Sequence, residues 1–255
     1  MYCRNLQYTF CKIRLTFPYS VVKLLHNNYT QDGSLMNLNK ATLSEQIYGI
    51  LRNDILTQEI KPGEKLTLKS LQERFGVSST PIREALTRLT EDGLVLYYSN
   101  IGVNVIELNE TDLKDLYQFM GDLDSLAILY TSRHPNQKAV LKELEENIQK
   151  TTVICEKKAL SHPEILKWKE LSDRFHLIFY DYCDNVRLTR AAEKQRSQLT
   201  IYSNQYETAP QIQLDIEKYH VSIYEAYRKG DYELAARYMR EHLAESLTFA
   251  LRYLK

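Results

Sequence analysis

Residues Gly76–Val95, GVSSTPIREALTRLTEDGLV, decide how this chain folds. Small hydroxyls and a proline stand before an apolar pattern of helical period, in which Ile82, Ala85, Leu86 and Leu89 share one face. Thr80 and Pro81 read as a cap and a preset first turn, so a helix is predicted over Pro81–Glu91, stopping at Asp92–Gly93. Ser79, Thr80, Arg83 and Thr87 are then left pointing away from the core. Hydroxyls and unpaired backbone N–H groups at a helix mouth suit phosphate oxygens, and Arg83, one turn in, can reach a guanine edge or a phosphate.

The flanking residues extend this into a unit. Upstream, Thr42 or Ser44 caps a helix with an apolar face of Leu43, Ile47, Ile50, Leu51 and Ile55, which IKPGEKL (Ile60–Leu66) breaks. A second helix through Leu68, Leu71 and Phe75 ends at Gly76, with Val77 expected to be buried between helices. Lys69 and Arg74 on that helix are placed over a nucleic acid backbone. Downstream, LVLYYSNIGVNVIEL (Leu94–Leu108) carries β-branched residues around Asn100 and Gly102 and is predicted to be a two-stranded hairpin. The order helix, helix, turn, helix, hairpin is that of a winged helix-turn-helix, whose third helix enters a DNA groove. Charge gives this no help. Ala41–Glu107 holds seven Lys/Arg against nine Asp/Glu, so binding rests on a local stripe of Lys69, Arg74, Arg83 and Arg88.

From Asn109 onward every signal is helical. Thr111 is predicted to cap a helix reaching His134–Pro135, followed by segments near Gln137–Leu160, Pro163–Tyr182, Val186–Glu207, Gln211–Lys229 and Tyr232–Leu254. The fold class expected is therefore mainly α: an N-terminal winged helix-turn-helix and an all-α helical bundle. The domains are set at 36–107 and 108–255. Residues 1–35, where Arg4, Lys12, Arg14 and Lys23 face only Asp32 without a clean period, are expected to be an upstream extension, with Met36 the natural start.

Composition excludes several classes. No apolar run is long enough to cross a bilayer. The four cysteines are scattered without a CxxC pair, as in a reducing compartment, and the cytoplasm is the expected location. Neither HExxH, a nucleophile elbow nor a Gly-rich phosphate loop occurs, which argues against an enzyme; a metal-dependent hydrolase fused to a DNA-binding module is the competing class.

The stretch IKPGEKL…LQERFGVSSTPIREALTRLTEDGLV…NIGVNVIEL resembles the winged helix-turn-helix of the GntR family of bacterial transcription regulators. The resemblance implies DNA contacts at Lys69, Ser79, Thr80, Arg83 and Gly102. Two positions depart from the family's commonest pattern: Ser79 and Ile101 each stand where an arginine is frequent.

The second half is similar to the all-helical FCD effector domain, through FHLIFYDYCDN (Phe175–Asn185) and YHVSIYEAYRKGDYELAARYMREHL (Tyr219–Leu243). That likeness implies a divalent metal, Zn or Ni-like, held by His176, His220, His242 and an aspartate four residues before the first histidine. Ser172 occupies that position, and Asp173, three before, is expected to substitute, with water filling the site as the alternative. An arginine that often holds carboxylate effectors is replaced by Met120, and Asp124 falls at a usual acidic position. The tyrosines Tyr130, Tyr180, Tyr202 and Tyr224 read as pocket lining or as core. The expectation is a homodimeric regulator of a double-stranded DNA operator with a short inverted repeat. A small-molecule effector, an organic acid among the options, or a metal would control it. Repression is the expected mode, although activation reads the same in the residues.

Overall fold

The computed structural model describes residues 42–98, 102–157 and 159–254, and the chain divides into two compact units between Ile106 and Glu107. The expected extension at 1–35, Asn100 and Ile101 lie outside the described residues.

The first unit opens with α1 (Leu43–Leu56), where Thr42 and Glu45 accept each other's backbone N–H in a capping box. Its buried face is Ile47, Tyr48, Leu51 and Ile55; Leu43 and Ile50, assigned to that face from sequence, are exposed. At 3.6 residues per turn the four buried positions span an arc of about 100°, and Leu43 and Ile50 lie roughly 40–60° outside it.

A short strand, β1 (Lys65–Leu66), precedes α2 (Leu68–Phe75) and α3 (Ser79–Glu91). Gly76 closes α2 in the left-handed conformation, φ 66°, and Val77 is half-buried rather than buried. The third helix starts at Ser79, two residues before the predicted Pro81, and Ser78 takes the cap position without a side-chain cap bond. Pro81 is tolerated as the third helical residue because N–H groups of the first turn have no intrahelical acceptor. Ile82, Ala85, Leu86 and Leu89 are buried, as the periodicity requires, against α1.

Two further strands, β2 (Val95–Tyr98) and β3 (Gly102–Val105), form the hairpin. The sheet has three strands in the order β1-β3-β2, not two: Lys65 pairs with Asn104 and Leu66 with Val103. Gly63 N–H to Val105 O and Val105 N–H to Glu64 O tie the turn to β3.

The second unit contains six helices among the described residues: α4 (Glu110–Thr131), α5 (Gln137–Cys155), α6 (His162–Tyr182), α7 (Val186–Tyr206), α8 (Pro210–Arg228) and α9 (Tyr232–Tyr253). Asn109, not Thr111, caps α4, because Asn109 and Asp112 satisfy each other's N–H groups. The fifth helix stops at Cys155, short of Leu160. α9 packs on α4 and α8, α5 on α6 and α8, and α4 also meets α6 and α7. The α4–α9 crossing is close: Gly121 faces Arg240 and Leu243, and the Ser125 hydroxyl donates to Ala236 O at 2.8 Å. Trp168, Tyr117, Tyr206, Tyr227, Phe175 and Phe179 fill the core.

Candidate functional site

Two surfaces carry chemistry, one in each unit. In the first, the mouth of α3 presents half-buried Ser79, exposed Thr80 and exposed Arg83. No acidic residue stands in the first turn, so the positive end of the helix dipole is not offset there. Thr87, a turn beyond Arg83, is also exposed and returns its hydroxyl to Arg83 O at 2.9 Å. Lys69 is exposed on α2, and neither Lys69 nor Arg83 forms an ion pair among the described residues. The other two cations of the expected stripe are engaged within the unit. Arg74 bonds Asp54 at 2.6 Å and lies over the Phe75 ring, and Arg88 stacks on Tyr48 at 4.2 Å. Both help hold α2 and α3 to α1.

In the second unit three of the four residues expected around a metal come together. His176 from α6, His220 from α8 and His242 from α9 are buried, with one ligand atom from each within 4.8 Å of the others. The Nε2 atoms of His220 and His242 each lie 3.3 Å from Nε2 of His176. Asp173 is not part of this cluster. It lies one residue round the helix from buried Ser172, is half-buried, and acts electrostatically on Lys169, Arg196 and Glu207 instead.

The acidic group that does reach the cluster is Asp124 of α4. Its Oδ2 lies 2.8 Å from His176 Nδ1, its Oδ1 accepts the Tyr180 hydroxyl at 2.6 Å, and Arg196 of α7 bonds both oxygens. At 1 % exposure, burial pushes the Asp124 carboxyl up, but the Arg196 guanidinium and then His176 outweigh this and hold it well below the usual carboxylate range. A charged Asp124 accepts the N–H at His176 Nδ1, and Nε2 is turned toward the Nε2 atoms of His220 and His242. Burial above all, then the neighbouring histidines and Arg196, lowers His220 well below the ordinary histidine value; burial and His176 do the same to His242.

Three imidazoles with ring nitrogens turned on one point are the donor set of a borderline divalent cation. Tetrahedral bonds of about 2.0–2.1 Å to imidazole nitrogen require nitrogens about 3.3–3.4 Å apart. The two separations from His176 meet that requirement. Arg196 had no local signal in the sequence beyond one arginine within a helix whose neighbours Ala192 and Leu199 are buried. Met120 is fully buried, as core, at the position of the absent effector arginine. Tyr180 belongs to the Asp124 network, Tyr202 accepts the Leu108 N–H at 2.7 Å, Tyr224 is buried and Tyr130 half-buried.

A recognition helix with a free cationic mouth, a wing, and a separate helical unit with a buried ligand-type cluster define a DNA-binding transcription regulator. Comparison with known proteins makes this specific. The profile of the bacterial regulatory proteins of the gntR family matches residues 43–105, and that of the FCD domain matches residues 115–245. The chain belongs to the GntR family, with an FCD domain as its second half.

It is 27% identical over 206 residues to the HTH-type transcriptional repressor RspR of Escherichia coli (strain K12), covering 80% of this chain and 86% of that one. It is 31% identical over 211 residues to an HTH-type transcriptional regulator in an unstable DNA locus of Streptomyces ambofaciens, covering 80% and 84%. Among solved structures, E. coli McbR/YncC shares the fold with a TM-score of 0.67 at 20% identity, over 84% of this chain and 99% of that one. The two sequence relatives are named as regulators, and the hydrolase alternative finds no support among them. No helix of the described residues is long and apolar enough to cross a membrane.

Proposed function

We propose that this regulator is a cytoplasmic homodimer whose affinity for a short inverted-repeat operator is set by a divalent metal and an anionic small molecule in the helical unit. The observation that carries the metal is the convergence of His176, His220 and His242, with both nitrogen separations from His176 at 3.3 Å. His176, His220 and His242 would hold the ion, and Asp124 would fix the ring of His176 from behind through Nδ1. Such an ion would supply Lewis acidity toward an anion's oxygen.

The chain's own residues do the rest. Arg196, whose guanidinium bonds both oxygens of Asp124 beside the cluster, is the cation an anion would meet in place of the arginine that Met120 replaces. An anion competing with Asp124 for Arg196 would bias α7. On the same helix, the Tyr202 hydroxyl accepts the N–H of Leu108, next to the division between the units. The segment from Glu107 to Thr111 is the hinge in this reading, and the ligand acts through unequal affinity for two placements of the DNA-binding units. Two chains supply two recognition helices for two half-sites, which is what an inverted repeat demands. Lys69, Ser79, Thr80, Arg83 and Gly102 make the DNA contacts, with Arg74 bracing α2.

Operator fragments selected from genomic DNA, footprinted with chelator-treated protein and again with added Zn or Ni, test this. The proposal expects protection that changes with the metal and spans two half-sites about one helical turn apart. Identical protection with and without metal would end the metal-control part, and protection of one half-site would end the dimer.

A further inference from the structure

We infer that Lys65 supplies the wing with a DNA-phosphate contact, replacing charge that Ile101 does not provide. Lys65 lies on β1, the strand that the sequence pattern did not show, directly opposite Asn104 of β3. Asn104 and Gly102 point to the same side of β3, and Gly102 is its end nearest the wing tip. The lysine stem runs from Asn104 toward that end, because a Cβ built on Gly102 would meet Lys65 Cε at 3.3 Å. On the opposite flank of Gly102 its register partner is Tyr98 of β2, exposed on the same face. The outer face of the sheet therefore presents an ammonium, a bare glycine backbone and a phenol in one row.

Gly102 has two reasons to be glycine. Its φ is 112°, and its missing side chain leaves room for the lysine stem. Lys65 is exposed and forms no ion pair among the described residues, so its charge is not spent inside the protein. A unit with seven cations against nine anions, two of whose cations are held by Asp54 and Tyr48, has few others to offer a backbone. A lysine on an edge strand also discourages strand pairing between molecules, so the test separates the two roles.

Binding of the full-length protein to a fluorescein-labelled mixed-sequence duplex is measured by anisotropy across a salt series. Each phosphate neutralised contributes about 0.9 to the slope of log K against log [salt]. Lys65→Gln should flatten that slope by about one unit, Lys65→Arg should restore it, and Lys138→Gln in the helical unit should leave it unchanged. An unchanged slope for Lys65→Gln overturns the assignment. So does weaker binding at unchanged slope accompanied by a fall in melting temperature or a shift to higher mass, which would give Lys65 a structural role alone.

Discussion

Asp124 and Arg196 stand 72 residues apart in sequence and meet in the core of the helical unit, with Nη2 2.7 and 2.8 Å from the two carboxylate oxygens. The pair joins α4 to α7, and the same carboxylate orients His176. Neither residue touches solvent enough for water to replace its partner. Removing one charge therefore strands the other.

Asp124→Asn tests this pair. Loss of one partner of a buried ion pair costs about 3–5 kcal/mol, so urea melts should show a drop of that size. The same change should weaken metal retention by about 10–100-fold through His176. A variant as stable as the wild type would show that Arg196 does not depend on Asp124.

Arg83 and Arg74 differ in what they face, and binding should separate them. Arg83 is exposed at the mouth of α3, and Arg83→Ala should cost about 1–3 kcal/mol of specific binding in a gel shift. Arg74 is held by Asp54, and Arg74→Ala should move DNA affinity less. Equal losses would put Arg74 on the DNA.

Glu207 carries a pH dependence. Burial and then the Asp173 carboxylate push it from 4.5 up to about 7, with Lys169 opposing. A carboxyl raised in the folded state binds its proton more tightly there, so its contribution is fully present below about 4.5 and is lost as pH rises through 7. Glu207→Gln should remove this loss, gaining on the wild type by up to about 3 kcal/mol between pH 5 and 8 in urea melts. Parallel stability curves for the two proteins across that range would contradict it.

Tyr202→Phe removes the hydroxyl that accepts the Leu108 N–H. Leaving that N–H without its partner should cost about 1–3 kcal/mol. The proposed route through α7 further expects the ratio of operator affinities with and without metal to move toward one, at unchanged metal content. An unchanged ratio would remove Tyr202 from the route.

The helical frame is legible in the sequence because its signals are local. The 3.6 period and the stops at Gly76, Asp92–Gly93 and His134–Pro135 place these helix ends to within a few residues. The misses have equally local causes. Two residues, Lys65 and Leu66, are too few to show alternation, so β1 becomes visible only through its pairing with β3. Pro81 marks a first turn without fixing which of its positions it fills. In the cluster, the three histidines were legible through their family register. Asp173 fell out because a residue three positions away on a helix shares a side but not a focus. Asp124 and Arg196 reach the cluster from other helices, and no spacing along one helix could pair them.

The most direct measurement is the metal content of protein purified without a histidine tag, compared with His220→Ala at equal folding by circular dichroism. About one divalent ion per wild-type chain and a large loss in the variant is the outcome predicted from three converging imidazoles. Equal metal in both proteins, or none in the wild type after Zn or Ni is offered, would contradict it.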